Sequence, residues 1–229
     1  MFSKLSLTAA VVSAGKCPFG FDNDSVAKSQ PKVKQSSAAY PSEIFTCVAN
    51  DSGFGIPTTA EFTQDTYKQI FEEVVAVYEA IDDTVAANNN PRAKFAGCIV
   101  RAGGHDFMDF RTGSGSSTSG GSDGCINFSD EDNTGLADCL ESSGLPAVFE
   151  DYCDSVSLAD FLVIAGEAVM GRTAERYSAS DYYGMGTVAE AFLENFKFGR
   201  TAVDECPDNS GLMPNPELGC DGLKNIFVD

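Results

Sequence analysis

The clearest pattern along the chain is a run of apolar positions at helical spacing that begins after Thr59. The apolar members are Tyr67, Ile70, Phe71, Val74, Val75, Tyr78, Ile81 and Val85, and polar residues fill the positions between them. Spacings of three and four residues place apolar side chains on one side of a helix. The pattern therefore predicts a long amphipathic helix, ended by Asn88-Asn89-Asn90-Pro91.

A second helix is predicted from Arg92 to about Phe110. We expect Phe95, Ile99 and Val100 on its buried side, because they recur at helical spacing. A further helix is predicted to begin near Leu136.

The later part of the chain is also predicted to be helical, with less regular segments. Ser157–Met170 is strongly apolar and is expected to be buried on most sides, whereas residues 171–198 have weak helical character. Residues 199–229 contain several prolines and are predicted to form a loop that ends in one helical turn at Leu223–Val228. With a Gly/Ser-rich loop at 112–125, the pattern indicates a mostly α protein.

The N-terminus is typical of a targeting segment. Lys4 precedes a short apolar run, Leu5–Ala14, which is rich in small residues, so we predict a signal peptide at residues 1–15. Residues 16–58 lack periodicity and are predicted to form an irregular, disulfide-tied entry segment. Residues 59–229 are the predicted folded domain. No later apolar run is long enough to span a bilayer, so no membrane insertion is expected.

Charge and cysteine content narrow the class of protein. The net charge is −19 at pH 7, which disfavours nucleic acid and anionic membranes as partners. The eight cysteines contain no C-x-x-C pair, so disulfides in a secreted protein are favoured over zinc binding, with the pairing left open. Asn23, Asn50 and Asn127 lie in N-x-S sequons, which are usable if the chain enters a eukaryotic secretory route.

The candidate chemistry centres on His105, the single histidine of the chain. Arg101 lies four residues earlier, so a helix would place both side chains on one face. Asp106 follows directly. Further along the chain come the motifs GGSDG (120–124), NTGL (133–136) and SLADFLVIAG (157–166).

With RAGGHD (101–106), these motifs resemble, in order, those of the plant, fungal and bacterial haem peroxidase superfamily. There a distal helix R-L-x-F/W-H precedes a G-G-x-D-G loop, an N-x-G-L helix start and an S-x-A-D-x-x-x-L-A-G helix. Residues 199–227 resemble the stretch that leads toward the family's proximal helix, so the similarity covers about residues 60–229. The resemblance implies the distal-side helical half of the haem peroxidase fold, with haem b as the cofactor.

The resemblance also assigns roles. It implies that His105 takes a proton from bound hydrogen peroxide and returns it to the departing oxygen, as an imidazole with a pKa of about 6.5 can do. It implies that Arg101 stabilises the charge on that oxygen and that Asn133 accepts the other imidazole N–H. A calcium ion held by Asp106, the Gly121 carbonyl and Asp123 is also implied. The alternative for these aspartates is capping of the loop by hydrogen bonds.

Four departures from the family stand out. The family holds the haem iron through a second histidine, which this chain lacks, and nothing marks a Cys or Tyr for that role. We favour the interpretation that the chain is truncated over the alternative that it is a degenerate protein. Gly104 stands where the family has Phe or Trp, which predicts a wider distal cavity, and Cys125 stands where a serine oxygen would complete the calcium ligands. The absence of tryptophan excludes a tryptophan-radical route within these residues.

The leading hypothesis is therefore a secreted haem peroxidase that reduces hydrogen peroxide and oxidises a small, phenol-like donor. The alternative is a secreted, non-enzymatic scaffold or calcium-binding protein without haem. Haem uptake distinguishes these hypotheses.

Overall fold

The structure is a computed structural model that describes residues 38–48, 62–84, 90–112, 118–177, 186–203, 205–206, 212–215 and 219–227. The described residues are mostly helical, which confirms the mostly α class. The helices are α1 (Gln64–Ala80), α2 (Pro91–Phe107), α3 (Leu136–Glu141), α4 (Leu145–Tyr152), α5 (Leu158–Tyr177), α6 (Gly186–Asn195) and α7 (Gly219–Phe227). The proposed signal peptide lies outside the described residues.

Side-chain caps begin the first two helices. The Thr63 hydroxyl accepts a hydrogen bond from Thr66 N at the start of α1, and Asn90 Oδ1 accepts one from Ala93 N at the start of α2. Pro91 occupies the first turn of α2, where its missing N–H costs nothing. The local sequence thus determines where both helices begin.

Helix α1 ends earlier than the apolar pattern predicts, at Ala80. The backbone turns extended at Ile81, and the Arg92 side chain donates to the carbonyl oxygens of Glu79 and Ile81 at 2.6 and 2.7 Å. Because a partner outside the helix satisfies these terminal carbonyls, the helix can stop here.

Helix α5 packs against both α1 and α2 and forms the centre of the core. One side of each helix supplies fully buried side chains, as periodic apolar stripes should. The core includes Tyr67, Ile70, Val74 and Tyr78 of α1, Phe95, Ile99 and Ala102 of α2, and Phe161, Ile164, Ala165 and Ala168 of α5.

Val100 does not belong to the buried side of α2, and its predicted burial was wrong. Its side chain is 44% exposed, whereas Phe95 and Ile99 are buried. At 100° per residue, Val100 lies on the side of α2 that carries Gly104 and Phe107, which is turned away from α5.

The segment after α5 is more helical than predicted. Helix α5 continues to Tyr177 and α6 covers Gly186–Asn195, so part of residues 171–198 is regular helix. Helix α7 has nine residues, longer than the expected single turn. The described residues from 38 to 213 belong to one compact unit, and α7 belongs to a second unit.

A short antiparallel ladder pairs two strands, β1 (Arg111–Thr112) and β2 (Thr118–Ser119). It spans the Gly/Ser-rich loop, of which residues 113–117 lie outside the described residues. The ladder brings the end of α2 next to the GGSDG loop.

Disulfides tie the irregular segments to the helices. Three bonds lie among the described residues: Cys47–Cys153, Cys98–Cys139 and Cys125–Cys206. Cys220 is also disulfide-bonded. The first bond connects the described part of the entry segment to the end of α4, and this confirms that the segment is tied by a disulfide.

An ion-pair network joins the ends of α1, α2 and α5. Arg92 and Arg172 contact Glu79 at 3.3 and 2.6 Å, and Arg92 contacts Asp83 at 3.2 Å. Arg176 also pairs with Asp83. These contacts join the first turn of α2, the helix that carries the candidate site, to the ends of α1 and α5.

Candidate functional site

Helix α2 carries both His105 and Arg101, and the structure brings Asn133 to them. His105 Nδ1 lies 2.6 Å from Asn133 Oδ1. Asn133 lies in a 3-10 turn, Glu131–Asn133, and is only 1% exposed. Residues that are 28 positions apart in the sequence thus form a direct side-chain contact.

The orientation of the Asn133 amide is determined by its other end. Asn133 Nδ2 donates to the Asn127 carbonyl oxygen at 2.7 Å, which leaves Oδ1 facing the imidazole. Since Oδ1 can only accept, His105 Nδ1 must carry the proton.

Arg101 occupies the opposite side of the imidazole. Its Nε lies 3.3 Å from His105 Nε2 and can only donate, so Nε2 is unprotonated. The two terminal nitrogens of Arg101 donate to the Thr134 and Asp132 carbonyl oxygens at 3.0 and 2.8 Å. Both contacts to His105 therefore require the same neutral tautomer.

We use the name histidine relay for the hydrogen bonds that connect Asn127, Asn133, His105 and Arg101, together with the carbonyls of residues 132 and 134. The groups outside α2 that contact His105 and Arg101 in this relay all belong to residues 127–134. The sequence predicted Arg101, His105 and Asn133 as functional residues. It did not identify the Asn127, Asp132 and Thr134 carbonyls, because backbone groups leave no residue-specific signal.

The electrostatic environment favours the neutral imidazole. Burial lowers the pKa of His105, the hydrogen bond to Asn133 acts in the opposite direction, and the Arg101 charge lowers the pKa further. Burial also lowers the pKa of Arg101 from its very high ordinary value. A guanidinium nevertheless stays protonated in proteins. The site thus pairs a neutral base with a cation.

An apolar surface adjoins the relay on α2. A Cβ atom built on Gly104 would meet nothing within 4 Å, and the same holds for Gly97. Val100 and Phe107 are 44% and 53% exposed. The surface beside Arg101 is thus open and apolar, and nothing in the described residues fills the space at Gly104.

Asp106 faces a different side of α2 and is 1% exposed. Its Oδ1 has no hydrogen-bond partner. Burial raises the pKa of Asp106 to about 8, and the charges of Asp123 and Asp109 act in the same direction. The carboxyl thus lies in a site that disfavours its ionised form.

Asp109 is a third member of this group, which sequence analysis missed. It is buried, its Oδ1 accepts a hydrogen bond from Gly121 N at 2.7 Å, and burial raises its pKa to about 6. Its spacing of three from Asp106 was a usable signal, because the predicted second helix, Arg92 to about Phe110, would make the two residues neighbours on one face. We call Asp106, Asp109 and Asp123 the carboxylate cluster.

Backbone hydrogen bonds hold the loop around the carboxylate cluster. Asp123 Oδ1 accepts from Cys125 N at 3.0 Å, and the Gly121 carbonyl accepts from Asp123 N at 2.6 Å. Gly120 has a φ of 67°, and a Cβ there would lie 2.3 Å from Asp109 Oδ1, so only glycine fits. Within the described ranges, no group of three or more His, Cys, Asp or Glu side chains has metal-binding geometry.

Comparisons with protein-family models, curated proteins and solved structures found no match. Among the described helices, none is both long and apolar enough to cross a bilayer.

Proposed function

We propose that this chain carries the peroxide-cleaving side of a secreted haem peroxidase. The observation that carries the proposal is the histidine relay, in which His105 is neutral, oriented by Asn133 and paired with the Arg101 cation. Cleavage of a peroxide bond requires a base that becomes an acid, and a fixed positive charge where negative charge develops.

The chain's own atoms suit these two tasks. His105 Nε2 has a lone pair to take a proton from hydrogen peroxide, while Asn133 stabilises the Nδ1 proton of the resulting imidazolium. The same nitrogen can return the proton to the departing oxygen. The Arg101 Nε–H must first leave Nε2, and their separation of 3.3 Å is long for a hydrogen bond.

Other hydrogen bonds can keep Arg101 in place when its Nε–H leaves His105 Nε2. Its terminal nitrogens remain on the carbonyls of residues 132 and 134, so a small rotation would free Nε2 without release of the guanidinium. The cation would then be available to stabilise the negative charge that develops on the departing oxygen.

The open surface of α2 fits a flat apolar cofactor on the peroxide side. Val100, Phe107 and the space at Gly104 would face haem b, which when bound supplies the two electrons that reduce the peroxide. The described residues contain no second imidazole, and the described cysteines are disulfide-bonded. The proposal therefore requires that a group other than a described imidazole or cysteine thiol binds the haem iron.

The test is haem titration of the purified chain with imidazole added as the external iron ligand. We expect a Soret band that shifts with hydrogen peroxide, and a His105→Ala variant that reacts about 10²–10⁴-fold more slowly. Lys68→Ala, an exposed residue of α1, is the matched control and should react like the unaltered chain. Haem with imidazole but without protein gives the background rate.

Equal rates for His105→Ala and the unaltered chain would contradict a catalytic role for the relay. Failure of every variant to bind haem would instead favour the non-enzymatic scaffold.

The carboxylate cluster favours a second candidate function, calcium binding without haem. Asp106 offers a buried oxygen that lacks a partner, and Asp109 adds a carboxylate to the expected ligands Asp123 and the Gly121 carbonyl. Cys125 supplies no oxygen and is disulfide-bonded. Because the cluster lacks metal-binding geometry as it stands, the loop would have to close around the ion.

Calcium binding is tested by thermal unfolding in chelator and in excess Ca²⁺. An ion at 100 times its Kd stabilises a protein by about 2.7 kcal/mol, so the unfolding temperature should rise clearly. Asp123→Asn should abolish the rise. Identical unfolding in chelator and Ca²⁺ would exclude this candidate.

A further inference from the structure

Of the three N-x-S sequons, the one at Asn127 lies among the described residues. Asn23 and Asn50 lie outside them. Asn127 begins the segment 127–134, which supplies the partners of the histidine relay.

The Asn127 side chain is held in a local turn by one atom. Its Oδ1 accepts a hydrogen bond from Ser129 N at 3.0 Å, while its backbone carbonyl accepts from Asn133 Nδ2. Phe128 is buried and Ser129 is exposed. The residue thus uses its two oxygens within the protein.

The Asn127 amide nitrogen takes no part in these hydrogen bonds. Nδ2 donates to no group among the described residues, and it is not one of the buried polar atoms without a partner. It therefore contacts solvent, as the attachment atom of an N-linked glycan must.

We propose that Asn127 is a site of N-linked glycosylation. The inference rests on the secretory route that belongs to the proposed function. The sugar comes from a lipid-linked oligosaccharide diphosphate: a bond forms between the sugar C1 and Asn127 Nδ2, and the C1–O bond to the diphosphate breaks. The proton lost from Nδ2 balances the charge on the departing diphosphate.

A glycan at this position leaves the histidine relay intact. It replaces one hydrogen of Nδ2, whereas the turn uses Oδ1 and the relay uses the backbone carbonyl. The glycan would stand on the solvent side of residues 127–134 and shield the segment that positions His105.

The test is expression of the full chain behind a heterologous secretory leader in insect cells. An amidase that removes N-linked glycans converts the modified asparagine to aspartate, which peptide mass spectrometry then locates. We expect Asp at position 127 in most of the secreted chains. Ser129→Ala should abolish it, because the sequon hydroxyl is lost.

Ser129→Ala also separates the loss of the glycan from any disturbance of the fold. The turn uses the backbone N–H of residue 129, so the variant should keep the His105 pKa of the unaltered chain. Unmodified Asn127 in the secreted chain would overturn the proposal, whether or not Asn23 and Asn50 are modified. The readout is independent of haem, so it does not depend on peroxidase activity.

Discussion

His105 and Asp106 are neighbours on α2, yet they meet opposite environments. Each nitrogen of His105 has a partner with a defined donor and acceptor role. Asp106 is as deeply buried as Asn133, but its Oδ1 has no partner and two other carboxylates surround it. The relay is complete with protein atoms alone, whereas the carboxylate cluster leaves one buried carboxylate oxygen, Asp106 Oδ1, unsatisfied.

The difference comes from what each side of the helix meets. Residues 127–134 present carbonyl and amide oxygens toward the relay, which already holds a cation and an N–H group. The GGSDG loop brings a further carboxylate, Asp123, toward Asp106. Buried charges without a partner are costly, so the two sites should respond in opposite ways to substitution.

The largest effect should come from Asn133→Ala, which breaks the complete site. The variant leaves both His105 Nδ1–H and the Asn127 carbonyl without their buried partner. Because an unsatisfied buried group costs about 1–3 kcal/mol, we expect the free energy of unfolding to fall by about 3 kcal/mol. Thermal melts followed by circular dichroism measure the loss, and an unchanged melting temperature would mean that the relay contributes nothing to stability.

Asp106→Asn should act in the opposite direction at the incomplete site. The folded state raises the pKa of Asp106 to about 8, above its ordinary value of 3.8. The folded protein therefore holds the proton more tightly, and stability is lost as the pH rises from about 4 to about 8. Asparagine cannot ionise and avoids this loss.

In chelator at pH 8 we expect Asp106→Asn to be more stable than the unaltered chain by about 1–3 kcal/mol, with the advantage shrinking toward pH 4. Urea unfolding at several pH values measures both slopes. A variant that is less stable at pH 8 would show that the ionised carboxylate has an attractive partner. Asp151→Asn, an exposed carboxylate on α4, is the control.

The smallest effect, and the sharpest test of the relay, is on the pKa of His105. Arg101→Gln removes a charge that lowers this pKa, so the value should rise toward about 6.5. Asn133→Ala removes a hydrogen bond that raises it, so the pKa should fall further. Because the chain has one histidine, a single imidazole NMR signal reports both titrations.

The lowered pKa of His105 also makes the stability of the protein depend on pH. The unfolded chain binds a proton at higher pH than the folded protein does, so stability is present above about 6.5 and lost as the pH falls through the folded pKa. Arg101→Gln should weaken that dependence. A His105 pKa that is the same in both variants would mean that neither partner controls the imidazole.

Much of the fold could be predicted from the sequence, because the signals are local. The apolar stripe from Tyr67 to Tyr78 requires a helix whichever neighbour covers it, and Asn90-Pro91 starts α2 by capping. The spacing of Arg101 and His105 likewise placed both on one face. The early end of α1 and the exposure of Val100 were not predictable, since they depend on Arg92 and on the position of α5.

The sequence by itself thus determined the three main helices, α1, α2 and α5, the cysteine content and the identity of the polar residues around His105. Only the tertiary structure decided which oxygen faces which nitrogen, because the tautomer of His105 depends on backbone carbonyls that are distant along the chain. It also decided that Asp109 joins Asp106 and Asp123. The ionised form of a carboxylate is destabilised only when packing removes the water around it, and the sequence alone does not show which carboxylates are buried in this way.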